Sequence, residues 1–339
     1  MKILLVTQFY YPSLGGVETH VQQVAHQLIA NGHQVQVAAV NFSACQLSHW
    51  FERLHGDLLA PSFPSYLDGS LPIHSLSPNW FDRLRLLPIL VRTLPRLRTI
   101  AYRQLLLFGY QFYRPVFSSK LRKLAHDADL IHSFNGWYLG WVAQHVAQQL
   151  KIPFVNTPFV HPSHWGDDPD NVAYYKRADA IIALHEGDRQ SLLSLEVPKQ
   201  SLHTIGVSPN LPAIADPDAF RTQYNLGEAP VILFVGRMVV HKGVKAILES
   251  TQQVWKTAPD ARFIFIGPST PESETWFKDA DVRILYLGKV SNQEKANALA
   301  ACDVFCMPST SEILPTVYLE AWSYKKPVIG GKAKDCQSW

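Results

Sequence analysis

Residues 1–40 read MKILLVTQFYYPSLGGVETHVQQVAHQLIANGHQVQVAAV and contain a strand, a glycine loop, a helix and a second strand. The runs Lys2–Thr7 and Gln34–Val40 are short, rich in β-branched residues and nearly continuous in apolar character, as strands buried on both faces are. Between them, Val17–Asn31 is a helix candidate whose end is marked by Asn31-Gly32. This order predicts a parallel sheet covered by helices, an α/β fold.

The same alternation continues along the chain and restarts after residue 228. Further strands of the first half are predicted at Asp129–Ser133, Pro153–Thr157, Ala180–Leu184 and Leu202–Ile205. Those of the second half are predicted at Val231–Val235, Arg262–Ile266, Arg283–Leu287, Val304–Cys306 and Pro327–Ile329, with helices at Gly243–Thr257 and Asn292–Ala301. Residues 206–230 contain four prolines among polar residues, which is typical of a linker. We therefore predict a first domain over 1–205, a linker over 206–228 and a second domain over 229–339.

Composition agrees with two globular domains in a reducing compartment. The 339 residues exceed one ordinary core, and the 47% hydrophobic and 17% charged content excludes a disordered chain. The net charge of +3 does not indicate a nucleic-acid partner. The cysteines form no CxxC pair, so they predict neither a disulfide framework nor a zinc site. The apolar run Ile3–Val6 is too short for a signal peptide, and Leu86–Phe117 is broken by arginines and prolines. A cytoplasmic protein without a transmembrane helix is expected.

In doubly wound sheets, ligands bind beyond the carboxyl ends of the strands, so the loops there are the first candidates for chemistry. The loop after the first strand contains Gly15 and Gly16, followed by Glu18. Paired glycines before a helix let a ligand approach the backbone and the free N–H groups of the helix start. The alternative is a tight turn without a ligand.

Two cations stand at the corresponding corner of the second domain. Gly236-Arg237 directly follows a predicted strand, and Lys242-Gly243 begins the next helix. Permanent positive charge near a helix start suits a diphosphate. The alternative is a pair of solvated surface cations.

Two glutamates, Glu312 and Glu320, follow the next-to-last predicted strand. Pro315 fits the first turn of a helix, which places Glu320 on the helix body and Glu312 in the loop before it. A carboxylate at Glu320 can accept hydrogen bonds from both hydroxyls of a ribose, and Glu312 would lie nearer a sugar. The alternatives are an exposed helix charge and a capping carboxylate.

In this order and spacing, the three motifs resemble those of glycosyltransferase family 4 (group 1). Asn31–Val35 and Ala178–Ala183 also look like that family, and the resemblance runs from residue 1 to about residue 331. It implies the GT-B fold, in which two Rossmann-like doubly wound domains face each other across a cleft. It also implies a hexosyltransferase that uses a nucleotide-sugar donor, retains anomeric configuration and serves polysaccharide or glycolipid biosynthesis.

The resemblance also implies roles for single residues. Arg237 and Lys242 match the residues that hold the donor diphosphate, Glu320 the carboxylate on the ribose, Glu312 the one beside the transferred sugar, and Gly16 the glycine near phosphate and acceptor. Gly15 and Glu18 belong to the acceptor side, and His161, after a strand ending in Thr-Pro, is the candidate for hydrogen bonding to the donor sugar.

No metal ion and no cofactor beyond the nucleotide-sugar are expected, because the two cations can stabilise the charge left on the diphosphate and the leaving phosphate can take the acceptor's proton. His161 and His164 with Asp167 and Asp168 fit no zinc motif and are assigned to the acceptor side.

A basic and apolar segment, 83–123, lies in the first domain. Between residues 83 and 126 no acidic residue occurs, and the ten basic residues are Arg83, Arg85, Arg92, Arg96, Arg98, Arg103, Arg114, Lys120, Arg122 and Lys123. Pro88, Pro95 and Pro115 predict short amphipathic pieces rather than one long helix. These pieces suit the anionic inner face of a membrane, which also fits the resemblance, since many family members act on lipid-linked acceptors. The alternative is that the leucines pack on the domain while the arginines are solvated.

Two departures from the family pattern leave other functions open. The loop between the glutamates lacks the usual glycines, and the chain ends at Trp339, where family members continue into further elements. The resemblance therefore predicts a second domain truncated at its C-terminal side. The alternatives to a saccharide or lipid-linked glycosyl transfer are a catalytically impaired nucleotide-sugar-binding relic and a GT-B nucleotide-sugar epimerase.

Overall fold

A computed structural model describes residues 1–12, 15–40, 63–93, 95–134, 136–160, 165–209, 211–212, 214–310, 312 and 315–331, with the side chains of 92–100 left aside. The chain divides into two compact units, Met1–Gly206 and Val207–Trp339. Each unit has its own hydrophobic core.

The first unit contains an eight-stranded sheet. Its strands are β1 (Lys2–Thr7), β2 (Gln34–Ala39), β3 (Tyr66–Asp68), β4 (Leu71–Ser75), β5 (Leu130–Phe134), β6 (Phe154–Thr157), β7 (Ala180–Ala183) and β8 (Leu202–Thr204). Its helices are α1 (Gly16–Ala30), α2 (Trp80–Leu86), α3 (Pro95–Ala125), α4 (Trp137–Leu150), α5 (Pro169–Tyr175) and α6 (Glu186–Ser194). Short 3-10 turns cover Leu87–Thr93 and Lys199–Ser201.

The strand order of this sheet is β3-β4-β2-β1-β5-β6-β7-β8. The chain first adds strands on one side of β1 and then, from β5 onward, on the other side, so the topological switch point lies beside β1. β1 pairs in parallel with β2 on one side and with β5 on the other, so Val6 lies between Ala38 and Ser133. The crevice at such a switch point is the usual ligand position in doubly wound sheets. The glycine loop follows β1 and therefore lies at this position.

The second unit contains a five-stranded parallel sheet in the order β11-β10-β9-β12-β13. Its strands are β9 (Val231–Val235), β10 (Arg262–Ile266), β11 (Ile284–Gly288), β12 (Val304–Met307) and β13 (Val328–Gly330). Its helices are α7 (Pro217–Gln223), α8 (Val244–Val254), α9 (Pro271–Glu274), α10 (Asn292–Ala301) and α11 (Thr316–Ser323). Here the switch point lies between β9 and β12, which pair side by side.

Helix α7 lies within the segment 206–228 that was predicted as a linker. Its Pro217 occupies the first turn, and the side chain of Asp216 accepts a hydrogen bond from the Ala219 N–H at 2.9 Å. Phe220 of α7 is buried in the core of the second unit. The proline that suggested a linker therefore starts a helix, since a first-turn proline gives up no helical hydrogen bond.

The segment 83–123 is interrupted near Pro88 and Pro95, as predicted, but helix α3 continues through Pro115, where a break was expected. Helix α3 joins two helical stretches across a kink at Ala101, where the backbone leaves helical geometry (φ −135°, ψ 37°). Val116 and Phe117 are buried in the first core, and burial of such side chains offsets the hydrogen bond lost at proline, about 3 kcal/mol. Neither α3 nor any other described helix combines the length and apolarity needed to cross a membrane.

Two of the basic residues predicted to face lipid are engaged in ion pairs. Arg103 donates to both carboxylate oxygens of Asp170, each at 2.9 Å. Lys120 Nζ lies 2.9 Å from Asp82 Oδ2. Both acids lie outside the acid-free stretch 83–126, so local composition could not reveal these pairs.

Candidate functional site

Two loops meet at the switch point of the second sheet. One follows β9 and carries Arg237 and Lys242; the other follows β12 and carries Glu312. The carbonyl of His241 accepts hydrogen bonds from Thr310 N at 2.9 Å and from Ser309 Oγ at 3.0 Å. These bonds fix the two loops to each other.

A glycine permits this close approach. Gly243 has φ +84°, and a Cβ there would lie 2.6 Å from the carbonyl oxygen of Pro308. A larger residue would be strained in backbone conformation and would separate the loops. The Lys242-Gly243 dipeptide therefore needs its glycine for the packing of the two loops.

Lys242 and Glu312 form an ion pair across this junction, with 2.5 Å between Nζ and Oε1. The lysine side chain is 18% exposed and the glutamate side chain 9%. The sequence assigned these residues to different parts of one ligand, and the structure brings them into contact. Arg237 is exposed and forms no ion pair with any residue in the described ranges. The loop after β9 thus carries an exposed guanidinium and one partner of a largely covered ion pair.

Glu320 lies on α11 and is buried, which excludes the alternative of an exposed helix charge. Its Oε1 accepts a hydrogen bond from Lys295 Nζ of α10 at 2.7 Å. Oε2 is buried and has no hydrogen-bond partner in the part of the chain that the structure describes. Burial raises the pKa of the Glu320 carboxyl, and the Lys295 ammonium lowers it in part.

Lys295 was not predicted from the sequence. The one available signal is its place in the first turn of α10, where the helix dipole disfavours a cation. A lysine in that position suggests a carboxylate partner elsewhere in the fold, but the sequence does not identify it.

The glycine loop lies at the switch point of the first sheet, and its two glycines differ. A Cβ on Gly15 would lie 2.3 Å from Glu18 Oε2, so the Glu18 carboxylate folds back against Gly15. A Cβ on Gly16 would meet no described atom within 4 Å. Gly16 begins α1, and the space beside it is open. A side chain at position 15 would therefore displace the Glu18 carboxylate, whereas one at position 16 would displace no described atom.

Two histidines that the sequence did not single out are carried by elements next to β1: His20 by α1 and His132 by β5. His20 contacts Phe134 and Phe159 edge-on, with ring centroids 5.9 and 6.0 Å apart, and burial lowers its pKa to about 4. His132 stacks on Phe134, its Nε2 lies 2.9 Å from Thr157 Oγ1, and burial above all lowers its pKa to about 3. Both are neutral near pH 7, so they supply polar but uncharged groups here.

The predicted catalytic residue His161 lies outside the described residues, as does His164. Asp168 of the same cluster caps α5, where its Oδ1 accepts from the N–H groups of Asp170 and Asn171 at 3.2 and 3.1 Å. Within the ranges that the structure covers, no three His, Cys, Asp or Glu side chains are grouped to hold a metal ion.

The comparisons with known proteins agree with this architecture. A GDP-mannose-dependent monoacylated alpha-(1-6)-phosphatidylinositol monomannoside mannosyltransferase from Corynebacterium glutamicum is 34% identical over 126 residues, which is 34% of this chain and 33% of that protein. The match thus spans a third of that relative's length. A GDP-mannose-dependent alpha-mannosyltransferase from Mycobacterium tuberculosis is 22% identical over 98% of this chain and 79% of its own.

Among solved structures, Anabaena HepE in complex with UDP and glucose superposes with a TM-score of 0.66 at 18% identity, over 100% of this chain and 82% of that one. This likeness shows the fold, which is of the GT-B class. Residues 229–338 match the family described as glycosyl transferases group 1. Residues 15–207, more than half of the chain, match the glycosyl transferase 4-like domain, and the protein therefore belongs to this glycosyltransferase family.

Proposed function

We propose that this protein transfers a sugar from a nucleotide-sugar donor to a saccharide or lipid-linked acceptor, with retained anomeric configuration and without a metal ion. The observation that carries the proposal is the Lys242–Glu312 ion pair at the switch point of the second sheet, with the exposed Arg237 on the same loop as Lys242. This is the usual ligand position of a doubly wound fold. The nucleotide-sugar in the names of the relatives supports the same class of donor.

The two cations suit the charge that develops when a sugar–phosphate bond breaks. Arg237 can bind two phosphate oxygens at once, as a guanidinium does. The Lys242 ammonium has three N–H donors, so it can bind a phosphate while one donor stays on Glu312. Fixed cations that stabilise the leaving diphosphate replace a metal ion, and the departing phosphate can accept the acceptor's proton.

In the proposed reaction, Glu320 binds the ribose, while Glu312 and His161 bind the transferred sugar. The open N-terminus of α1 at Gly16 binds phosphate or acceptor oxygens, because its N–H groups point away from the helix. Gly15 and Glu18 belong to the acceptor side. The close packing of Gly15 against Glu18 supports a shared position for these two residues.

A patch on α2 favours an acceptor held at a membrane. Trp80, Phe81 and Leu84 of this helix are exposed, as is Leu87 directly after it, with Trp80 63% exposed; these four residues are called the α2 patch below. The acid of α2, Asp82, is buried and paired with Lys120. The helix therefore presents aromatic and apolar side chains with arginines and no exposed acid, as helices that lie in an anionic membrane interface do. We therefore assign membrane contact to the α2 patch, which lies at the start of the segment 83–123, and not to the whole segment.

A transfer assay with UDP-, GDP- and ADP-sugars, with and without a chelator, tests the proposal. We expect one donor class to turn over in the presence of chelator. Arg237→Ala should remove transfer and weaken nucleotide binding without loss of stability, because its side chain is exposed. Lys256→Ala, an exposed lysine of the same unit, is the control and should change neither. Nucleotide binding without turnover by the unaltered chain would instead identify a binding relic, and neither binding nor turnover would refute the proposal.

A further inference from the structure

The ion pair between Lys295 and Glu320 is not required to form the helices that carry it. The start of α10 is capped by Ser291, whose Oγ accepts from the Glu294 N–H at 3.0 Å. Lys295 adds a cation to the end of the helix that disfavours cations. The loss of hydration of a buried ion pair roughly cancels the attraction between its charges. Apolar residues at positions 295 and 320 would therefore stabilise the fold equally well. The pair therefore calls for an explanation other than stability.

The two oxygens of the Glu320 carboxylate have different surroundings. Oε1 is bound to the ammonium at 2.7 Å, whereas Oε2 is buried and has no partner among the described residues. An unpartnered buried carboxylate oxygen is costly, so it indicates either a proton or a ligand hydroxyl at that atom. The Lys295 cation disfavours the proton.

We propose that Lys295 is a positioning residue, which holds the Glu320 carboxylate ionised through Oε1 and leaves Oε2 to accept hydrogen bonds from the ribose hydroxyls of the nucleotide. The inference rests on the proposed function. Because the ammonium holds Oε1 only, Oε2 keeps its lone pairs for the hydroxyls of a ligand. A lysine ammonium has donors and no acceptor, so it holds the carboxylate without competing with it for the ribose hydroxyls.

The groups that face this carboxylate determine how binding responds to pH. They are Lys295 from α10 and Tyr324 at the end of α11, and burial raises the pKa of the Tyr324 phenol, so it stays neutral over the acid range. Burial already raises the pKa of Glu320. Removal of the Lys295 charge raises the pKa of Glu320 further, so the carboxyl takes up a proton at a higher pH. The protonated carboxyl can then no longer accept hydrogen bonds from the ribose at both of its oxygens. Recognition of ribose should consequently fail as pH falls.

The test compares each nucleoside diphosphate with its 2′-deoxy form by calorimetry, using the 339-residue chain and the Lys295→Met, Lys295→Gln and Lys295→Arg variants. The unaltered chain should prefer the ribonucleotide by about 10-fold or more, the ratio that one charge-assisted hydrogen bond supplies. Lys295→Met should lower the ratio toward one, because the ribonucleotide loses more affinity than the 2′-deoxy form, which keeps only its 3′-hydroxyl for Glu320. Lys295→Arg should keep most of the preference. Lys295→Gln, which retains a hydrogen-bond donor, should keep it at high pH and lose it as pH falls.

The outcomes separate this inference from the proposed function. If the unaltered chain binds no nucleotide, the proposed function itself fails. If it binds ribonucleotides preferentially and the Met and Gln variants keep the full ratio at every pH, the positioning role of Lys295 is refuted. Equal losses for both nucleotide forms would also refute it, because they indicate a merely structural pair. Should Lys295→Met not fold, the pH profile of Lys295→Gln decides alone.

Discussion

A single methyl group on the glycine loop should separate stability from function. Gly16 is the first residue of α1, and a Cβ there would meet no described atom within 4 Å. Alanine restricts the unfolded chain and fits the helical backbone. We therefore expect Gly16→Ala to raise the free energy of unfolding by about 0.4–1 kcal/mol. If the open space beside Gly16 receives a phosphate or acceptor oxygen, the same methyl group displaces it by about 1 Å and lowers kcat/KM about 100-fold.

The neighbouring glycine is the matched control. A Cβ on Gly15 would lie 2.3 Å from Glu18 Oε2, so the Glu18 side chain must move and loses its present contacts. Gly15→Ala should therefore lower the free energy of unfolding by about 1 kcal/mol. Combining Gly15→Ala with Glu18→Ala removes the clash and should recover much of that loss. Substitution by alanine should thus change the free energy of unfolding in opposite directions at these two adjacent glycines.

Urea unfolding measures the stabilities, and a steady-state transfer assay with the donor found by the screen of UDP-, GDP- and ADP-sugars measures kcat/KM. A Gly16→Ala variant that is more stable and fully active would refute the assignment of Gly16 to the reacting groups. A Gly16→Ala variant that is less stable than the unaltered chain would refute the geometric reasoning itself, because it would mean that the space beside Gly16 is filled.

Three further variants test the other assignments. Glu312→Gln should raise the affinity for free nucleoside diphosphate, since it releases the Lys242 ammonium from a competing carboxylate, while transfer falls; calorimetry that shows weaker binding would contradict this. His161→Ala should lower the affinity for the nucleotide-sugar more than that for the free nucleotide, and equal losses would remove it from the sugar. Trp80→Ser should weaken flotation with anionic vesicles at low salt, whereas Leu67→Ser, an equally exposed apolar residue on the edge strand β3, should leave it unchanged; equal effects of both would remove the α2 patch from the membrane.

The strands were predictable where burial on both faces dictates their composition. The strands β1 and β9 have the bounds that were predicted from the sequence. The residues from Ile3 to Val6 and most of Val231–Val235 are buried, so these stretches are apolar throughout. The edge hairpin of β3 and β4 was not predicted. Its strands are short and partly polar, and Asp68 at the end of β3 accepts hydrogen bonds from Tyr10 and Gln22, so local periodicity gave no signal.

The loops of the candidate site were predictable, but their contacts were not. Arg237, Lys242 and Glu312 follow strands, which suffices to assign them to the carboxyl edge of a sheet. The pairing of Lys242 with Glu312 depends on β9 lying next to β12, although 70 positions separate the two residues in the chain. Strand order follows from the packing of the whole unit, so no local pattern contains it.

The two ion pairs also determine which charge is left for the diphosphate of the proposed donor. Lys242 balances Glu312, and Lys295 balances Glu320, each at hydrogen-bond distance and with little solvent between the partners. The fifth charged residue assigned to the site, Arg237, forms no ion pair among the described residues. Its guanidinium therefore supplies the net positive charge of these five residues. In the proposed function, a diphosphate therefore gains most from Arg237, while Lys242 must divide its hydrogen bonds between the ligand and Glu312. The proposed site can thus contain two carboxylates and still attract an anion.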